Sequence, residues 1–173
     1  MTQRLAAFAR ALKRPVILTG LVALPFAWAP LVAFSESHAF LLNTSPSLPN
    51  WAFWLDKSAP IGAGSLIFFE PPASPLLERH FGKGPHIFGK RVLGLPGDKV
   101  GHQGADVLIN GRKVGVRLPR TRLGLALTPG PEGEIPPGCY YVGSDHPRGF
   151  DSRYAEVGFA CRGQILGSGR AIL

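Results

Sequence analysis

Val107-Leu108-Ile109-Asn110-Gly111-Arg112-Lys113-Val114 decides how the chain is read. Asn-Gly between two short β-branched runs supplies the two positive-φ positions that a type I′ turn requires, so the segment is expected to be a β-hairpin. Working outward, Arg91-Val92-Leu93-Gly94-Leu95 is a second candidate strand, closed by the turn Pro96-Gly97-Asp98. Ser65-Leu66-Ile67-Phe68-Phe69 is a third, closed by Pro71-Pro72, and Cys139-Tyr140-Tyr141-Val142 and Gln164-Ile165-Leu166 complete the set. From residue 60 onward no stretch sustains helical periodicity, and segments 73–88 and 119–137 are rich in Pro and Gly, as excursions from a sheet would be. No internal repeat is present. The expectation from these runs is a mainly β domain.

A chain of 173 residues with 45% hydrophobic content can bury one ordinary core, which argues for a single catalytic or binding domain. The net charge of +8 is compatible with nucleic acid or anionic lipid as a partner, and its distribution separates the two. Arg4, Arg10, Lys13 and Arg14 precede residues 15–34, a run without any charged side chain. Twenty apolar residues reach across a hydrocarbon core of about 30 Å as a helix. Pro25 and Pro30 would bend it. The positive-inside rule then predicts a cytoplasmic tail over 1–14, a transmembrane anchor over 15–34 and an exported β-rich domain over 35–173, periplasmic in a Gram-negative cell. Ser37-His38-Ala39 also offers the small residues of a signal-peptide cleavage site, but the apolar run is longer than a typical h-region. Cys139 and Cys161 suit an oxidising compartment, and whether they pair stays open at this point.

Three segments carry chemistry in a recognisable order: Asn43-Thr44-Ser45-Pro46-Ser47-Leu48-Pro49 just past the apolar run, Lys90-Arg91-Val92-Leu93-Gly94-Leu95-Pro96-Gly97-Asp98, and Asp151-Ser152-Arg153-Tyr154. Together they resemble the nucleophile, lysine and Asp-Ser-Arg boxes of the bacterial type I signal peptidases, the serine/lysine peptidases of family S26. Asn43, Phe53-Trp54, the strand ending at Pro71-Pro72 and the closing Arg170-Ala171-Ile172-Leu173 are similar to the TraF-type peptidases of conjugative transfer. The resemblance spans residues 43–173. It implies a signal-peptidase-like antiparallel β domain behind one N-terminal transmembrane helix, with Ser47 as nucleophile and Lys90 as general base. It further implies that the Ser47 backbone N–H and the Ser45 hydroxyl receive the oxyanion, with Asp151 and Arg153 in support.

These residue types fit that chemistry. A serine hydroxyl must lose its proton to a neighbouring base as it attacks, and a lysine can be that base only when neutral, a state that burial favours. Taken singly, Ser47 reads as a turn residue, Lys90 as a solvated strand-end cation, and Asp151 with Arg153 as a surface ion pair. Their joint occurrence in family order reverses those readings. Three positions depart from the pattern. A serine that holds the lysine in many relatives is replaced here by Gly149, so that contact is missing or is supplied by Ser144 or water. Trp51 stands where glycine is usual, and Ala155-Glu156 replaces an aromatic-Gly pair.

The five histidines, at 38, 80, 86, 102 and 146, show no metal-ligand spacing, and no phosphate loop is present, so neither metal nor cofactor is expected. The implied substrate is an exported protein with a signal or pro-segment, a conjugative prepilin above all, met at the inner membrane. Apolar subsites are expected around Leu48 and strand 64–69. A general signal peptidase and a non-catalytic component of a secretion channel are the rival readings. Basic residues at 112, 113, 117, 120 and 122 lack interleaved aromatics, so a nucleic-acid partner is not expected.

Overall fold

Inward and outward residues alternate along Phe88–Gly94, where Phe88, Lys90, Val92 and Gly94 are buried and Arg91 is exposed. A period of two is what a strand with one face on a core requires. The computed structural model describes Trp28, residues 30–43 and residues 48–172. Its strands are β1 (His38–Leu42), β2 (Ala52–Asp56), β3 (Leu66–Phe69), β4 (Phe88–Gly94), β5 (Lys99–Gln103), β6 (Asp106–Ile109), β7 (Arg112–Val116), β8 (Gly133–Glu134), β9 (Cys139–Gly143), β10 (Ala160–Cys161) and β11 (Ile165–Ala171). One sheet runs β1-β2-β11-β3-β4-β9-β10 and a second runs β7-β6-β5-β8. The ladders from β2 through β10 and those of the second sheet are antiparallel. The mainly β, antiparallel expectation holds.

The predicted hairpin is β6–β7, turning at Asn110 (φ 50°) and Gly111 (φ 78°). Its Asn110 side chain also donates to Asp98 Oδ1 at 2.7 Å and accepts from the Lys99 amide at 2.8 Å. Asp98 in turn accepts from the Leu95 amide at 2.7 Å, so the Pro-Gly-Asp turn that carries the chain from β4 into the second sheet is fastened at both ends.

All four residues of β3 are buried, because both of its faces are covered. Ile67 and Phe69 pack with Phe88, Val92, Val142 and Leu77, whereas Leu66 and Phe68 pack with Phe53 and Leu55. A separate cluster of Val100, Val107, Ile109, Ile135 and Tyr141 fills the second sheet. The chain is not free of helix between residues 73 and 88, as the sequence reading expected. A helix there, Pro75–Phe81, is capped by Ser74, whose hydroxyl accepts from the Leu77 amide at 3.2 Å, with proline at the first helical turn. At seven residues it is too short for its periodicity to register, and it enters the core through Leu77 alone. The last strand also extends well beyond Gln164-Ile165-Leu166, since Ser168–Ala171 pair with Phe53–Asp56 of β2.

Residues 1–14 and most of the apolar run 15–34 lie outside the described residues. Residues 30–37 are helical, and among the described residues no helix is long and apolar enough to cross a membrane.

Cys139 and Cys161 form a disulfide between directly opposed positions of β9 and β10. The alternative left open by the sequence closes in favour of pairing. The bond encloses a loop with a sequence separation of 22, and replacing both cysteines by alanine is expected to cost about 2–4 kcal/mol in a urea titration followed by tryptophan fluorescence.

Candidate active site

Lys90 owes its position to the alternation of β4. It lies opposite Ile67 of β3, and its side chain points to the same core face as Phe88 and Val92, leaving the residue 4% exposed. Its Nζ lies 5.8 Å from the centre of the Phe88 ring. Burial pulls the Lys90 ammonium below the ordinary lysine range; the charge of Asp151 acts in the opposite direction and that of Arg153 reinforces the lowering. An amine held this way is available as a base at a pH where a surface lysine would be protonated. The reading of Lys90 alone as a solvated cation does not survive.

Asp151 and Arg153 are also interior. Asp151 Oδ1 accepts from Arg153 Nε at 2.7 Å and Oδ2 from Nη2 at 2.8 Å. The remaining guanidinium donors reach the carbonyls of Val116, Pro147, His146 and Gly149. Between the two, Ser152 clamps onto β9: its Oγ accepts from the Val142 amide at 2.9 Å and its own amide donates to the Val142 carbonyl at 3.0 Å. Tyr154 continues the anchorage by accepting from the Leu118 amide at 3.0 Å.

Ser47 and Ser45 lie outside the described residues, but the residues that bracket them do not. Asn43 Nδ2 donates to the Leu48 carbonyl at 3.0 Å and to the Asn50 carbonyl at 2.8 Å, and the Asn43 amide donates to the Trp51 carbonyl at 2.8 Å. One side chain therefore ties together the two ends of the 44–47 segment. Leu48 packs onto Gly89, where an added Cβ would stand 2.9 Å from Leu48 Cδ1 and 2.8 Å from Phe68 Cε1. The residue that follows Ser47 thus meets the residue that precedes Lys90, and a side chain at 89 would force Leu48 or Phe68 to shift.

β9 pairs with β4 only from Arg91 onward, so among the described residues Phe88–Lys90 have β3 on one side and no strand on the other. A groove of about 500 Å³ follows this open edge and touches both faces of the strand. Leu48, Phe53 and Phe68 line it from one face, and Phe88, Lys90 and Phe150 from the other. Its walls are α2 (Pro75–Phe81, following α1 at residues 30–37) and the segment around Leu118–Leu127, neither of which any sequence signal connected to the site.

Gly149 marks where the sequence reading expected a contact to be missing or supplied by Ser144 or water. A Cβ at 149 would lie 2.1 Å from Ser144 Oγ and 2.6 Å from Arg153 Nη2. The Ser144 hydroxyl occupies the space a side chain at 149 would take, and it donates to Asp151 Oδ2 at 3.4 Å while its amide does so at 3.2 Å.

A β domain that buries a lysine beside an Asp-Ser-Arg clamp and opens that lysine onto a groove has the make-up of a peptidase. The chain matches the family described as signal peptidase, peptidase S26, over residues 12–173, and it belongs to that family. It is 30% identical over 129 residues to the conjugal transfer protein TraF of Agrobacterium fabrum strain C58, an alignment covering 66% of this chain and 72% of that one. Among solved structures it is similar to a signal peptidase I from Enterococcus faecalis V583, with 21% identity, 64% of this chain and 98% of that chain covered, and a TM-score of 0.34.

The exchange between positions 144 and 149 can be tested directly. Gly149→Ser is expected to lower stability by about 1–3 kcal/mol through overpacking, and Ser144→Gly in the same chain to recover part of the loss, as read from thermal unfolding midpoints.

Proposed function

We propose that the chain is a membrane-anchored serine endopeptidase in which Ser47 is the nucleophile and Lys90 the general base, removing a signal or pro-segment from an exported protein. Support comes chiefly from Lys90, a buried amine with a lowered pKa that opens onto the groove lined also by Leu48, the neighbour of Ser47. In this reading Ser47 Oγ attacks the scissile carbonyl as its proton passes to Lys90 Nζ. The Ser47 amide and the Ser45 hydroxyl stabilise the oxyanion, and Nζ returns the proton to the departing amine. Asp151 and Arg153 act by shaping the ground on which Lys90 stands. Water, or an amine of the substrate's own chain, then resolves the acyl-enzyme.

Similarity to a conjugal transfer protein favours a conjugative prepilin as substrate, with cyclisation when an amine replaces water. The basic cluster before residues 15–34 supports an anchor in the inner membrane with the peptidase domain on the periplasmic side.

Intact-mass spectrometry of a candidate prepilin co-expressed in membranes tests the assignment. Wild type is expected to shorten the substrate, and a product one water lighter than the linear peptide identifies cyclisation. Ser47→Ala and Lys90→Ala are expected to lose about four orders of magnitude in rate. Lys90→Arg is expected to be equally inactive, because a guanidinium does not deprotonate in proteins. Processing by all of these variants would overturn the dyad.

The pH profile supplies an independent check. The base works when neutral, so kcat/KM is expected to rise with pH as Lys90 loses its proton, with an inflection below the ordinary lysine value of about 10.4.

A further inference from the structure

The groove is one-signed. Among the described residues that line it, Lys90, Arg120, Arg122 and Arg148 are basic, and no aspartate or glutamate appears, although the chain carries 11 acidic residues in all. Arg120 and Arg148 are exposed, as is Arg122, and none of the three forms an ion pair among the described residues. Arg120 uses Nη1 to hold the Gly124 carbonyl at 2.8 Å, which fixes it on the turn that forms one wall. That wall is itself braced, with Thr121 donating its amide to Leu125 and Leu127 donating to Pro119.

Unpaired cations of one sign around low-dielectric walls concentrate the potential in the cleft between them. A neutral peptide gains nothing from this potential, whereas a carboxylate beside an apolar segment gains both steering and a partner. We propose that the groove selects a substrate polypeptide in which the apolar residues at the scissile bond are flanked by one or more carboxylates that meet Arg120, Arg122 and Arg148. This inference rests on the peptidase reading and names the chemistry of its substrate. A bilayer of anionic lipid would satisfy the same charges, but a planar surface meets protruding groups, and these arginines line a concavity together with Lys90 and Leu48.

The test is a binding measurement that needs no turnover. The full chain carrying Ser47→Ala, in neutral phosphatidylcholine nanodiscs, is titrated with fluorescent peptides whose apolar centre is flanked by Glu, Gln or Lys. The Glu peptide is expected to bind roughly five- to tenfold tighter than the Gln peptide, with the gap closing at high salt. In Arg120→Glu/Arg122→Glu the order is expected to reverse in favour of the Lys peptide, a gain that an unfolded variant would not show. Equal binding of Glu and Gln peptides overturns the inference, as does a Glu preference that survives the double substitution. Loss of the preference when phosphatidylglycerol vesicles are added assigns the arginines to lipid headgroups and also overturns it. Cleavage of the same peptides by the Ser47 chain is read separately: charge-blind cleavage removes this inference and leaves the peptidase, whereas charge-selective binding without any cleavage removes the peptidase reading.

Discussion

Inside the domain the guanidinium of Arg153 meets both oxygens of Asp151, and its other donors are spread over carbonyls of Val116, His146, Pro147 and Gly149. Two separate stretches of chain, the end of β7 and residues 146–151, converge on one planar cation. Such a pair contributes little net stability against a well-packed apolar alternative, yet removing one partner strands a charge in the interior at a cost of about 3–5 kcal/mol. Its use here is organisational. The end of β7, the 144–150 loop and, through Ser152, strand β9 are all held to a single point.

Lys90 depends on that point electrostatically. The carboxylate of Asp151 favours its ammonium and the guanidinium of Arg153 opposes it, so the ion pair presents the lysine with two opposed influences while burial sets the direction. The lysine reaches this location because β4 alternates strictly from Phe88 to Gly94. A slip of one residue in the pairing with β3 would turn the amine to the other face and bury Arg91 instead.

What the sequence disclosed follows from how local each signal is. Asn110-Gly111 prescribes a turn on its own terms, and the Lys90 strand announces itself by period and by the Pro-Gly-Asp that ends it. Strands β8 and β10 are two residues each and owe their existence to β5 and β9, which lie well upstream in the chain, so no window around them could reveal them. The helix at Pro75 hid for a similar reason: one buried leucine makes no pattern. At the site, Asp151 and Arg153 were found as letters in a box, while their burial and their many carbonyl partners belong to the tertiary fold. Ser144 taking the space beside Gly149 is a three-dimensional substitution between residues five apart; the sequence offered Ser144 as one candidate, and the fold supplies its position against Asp151.

Asn43 carries a consequence for how this chain can change over time. Its amide group spans from the Leu48 carbonyl to the Asn50 carbonyl, so the count of residues between those anchors is set by the reach of one short side chain. Insertions and deletions in that interval are excluded, because one residue more or fewer would release the clasp and draw Leu48 away from Gly89. Homologous chains that keep an asparagine at this place inherit a fixed spacing, and those that lose it must find another way to measure the same distance.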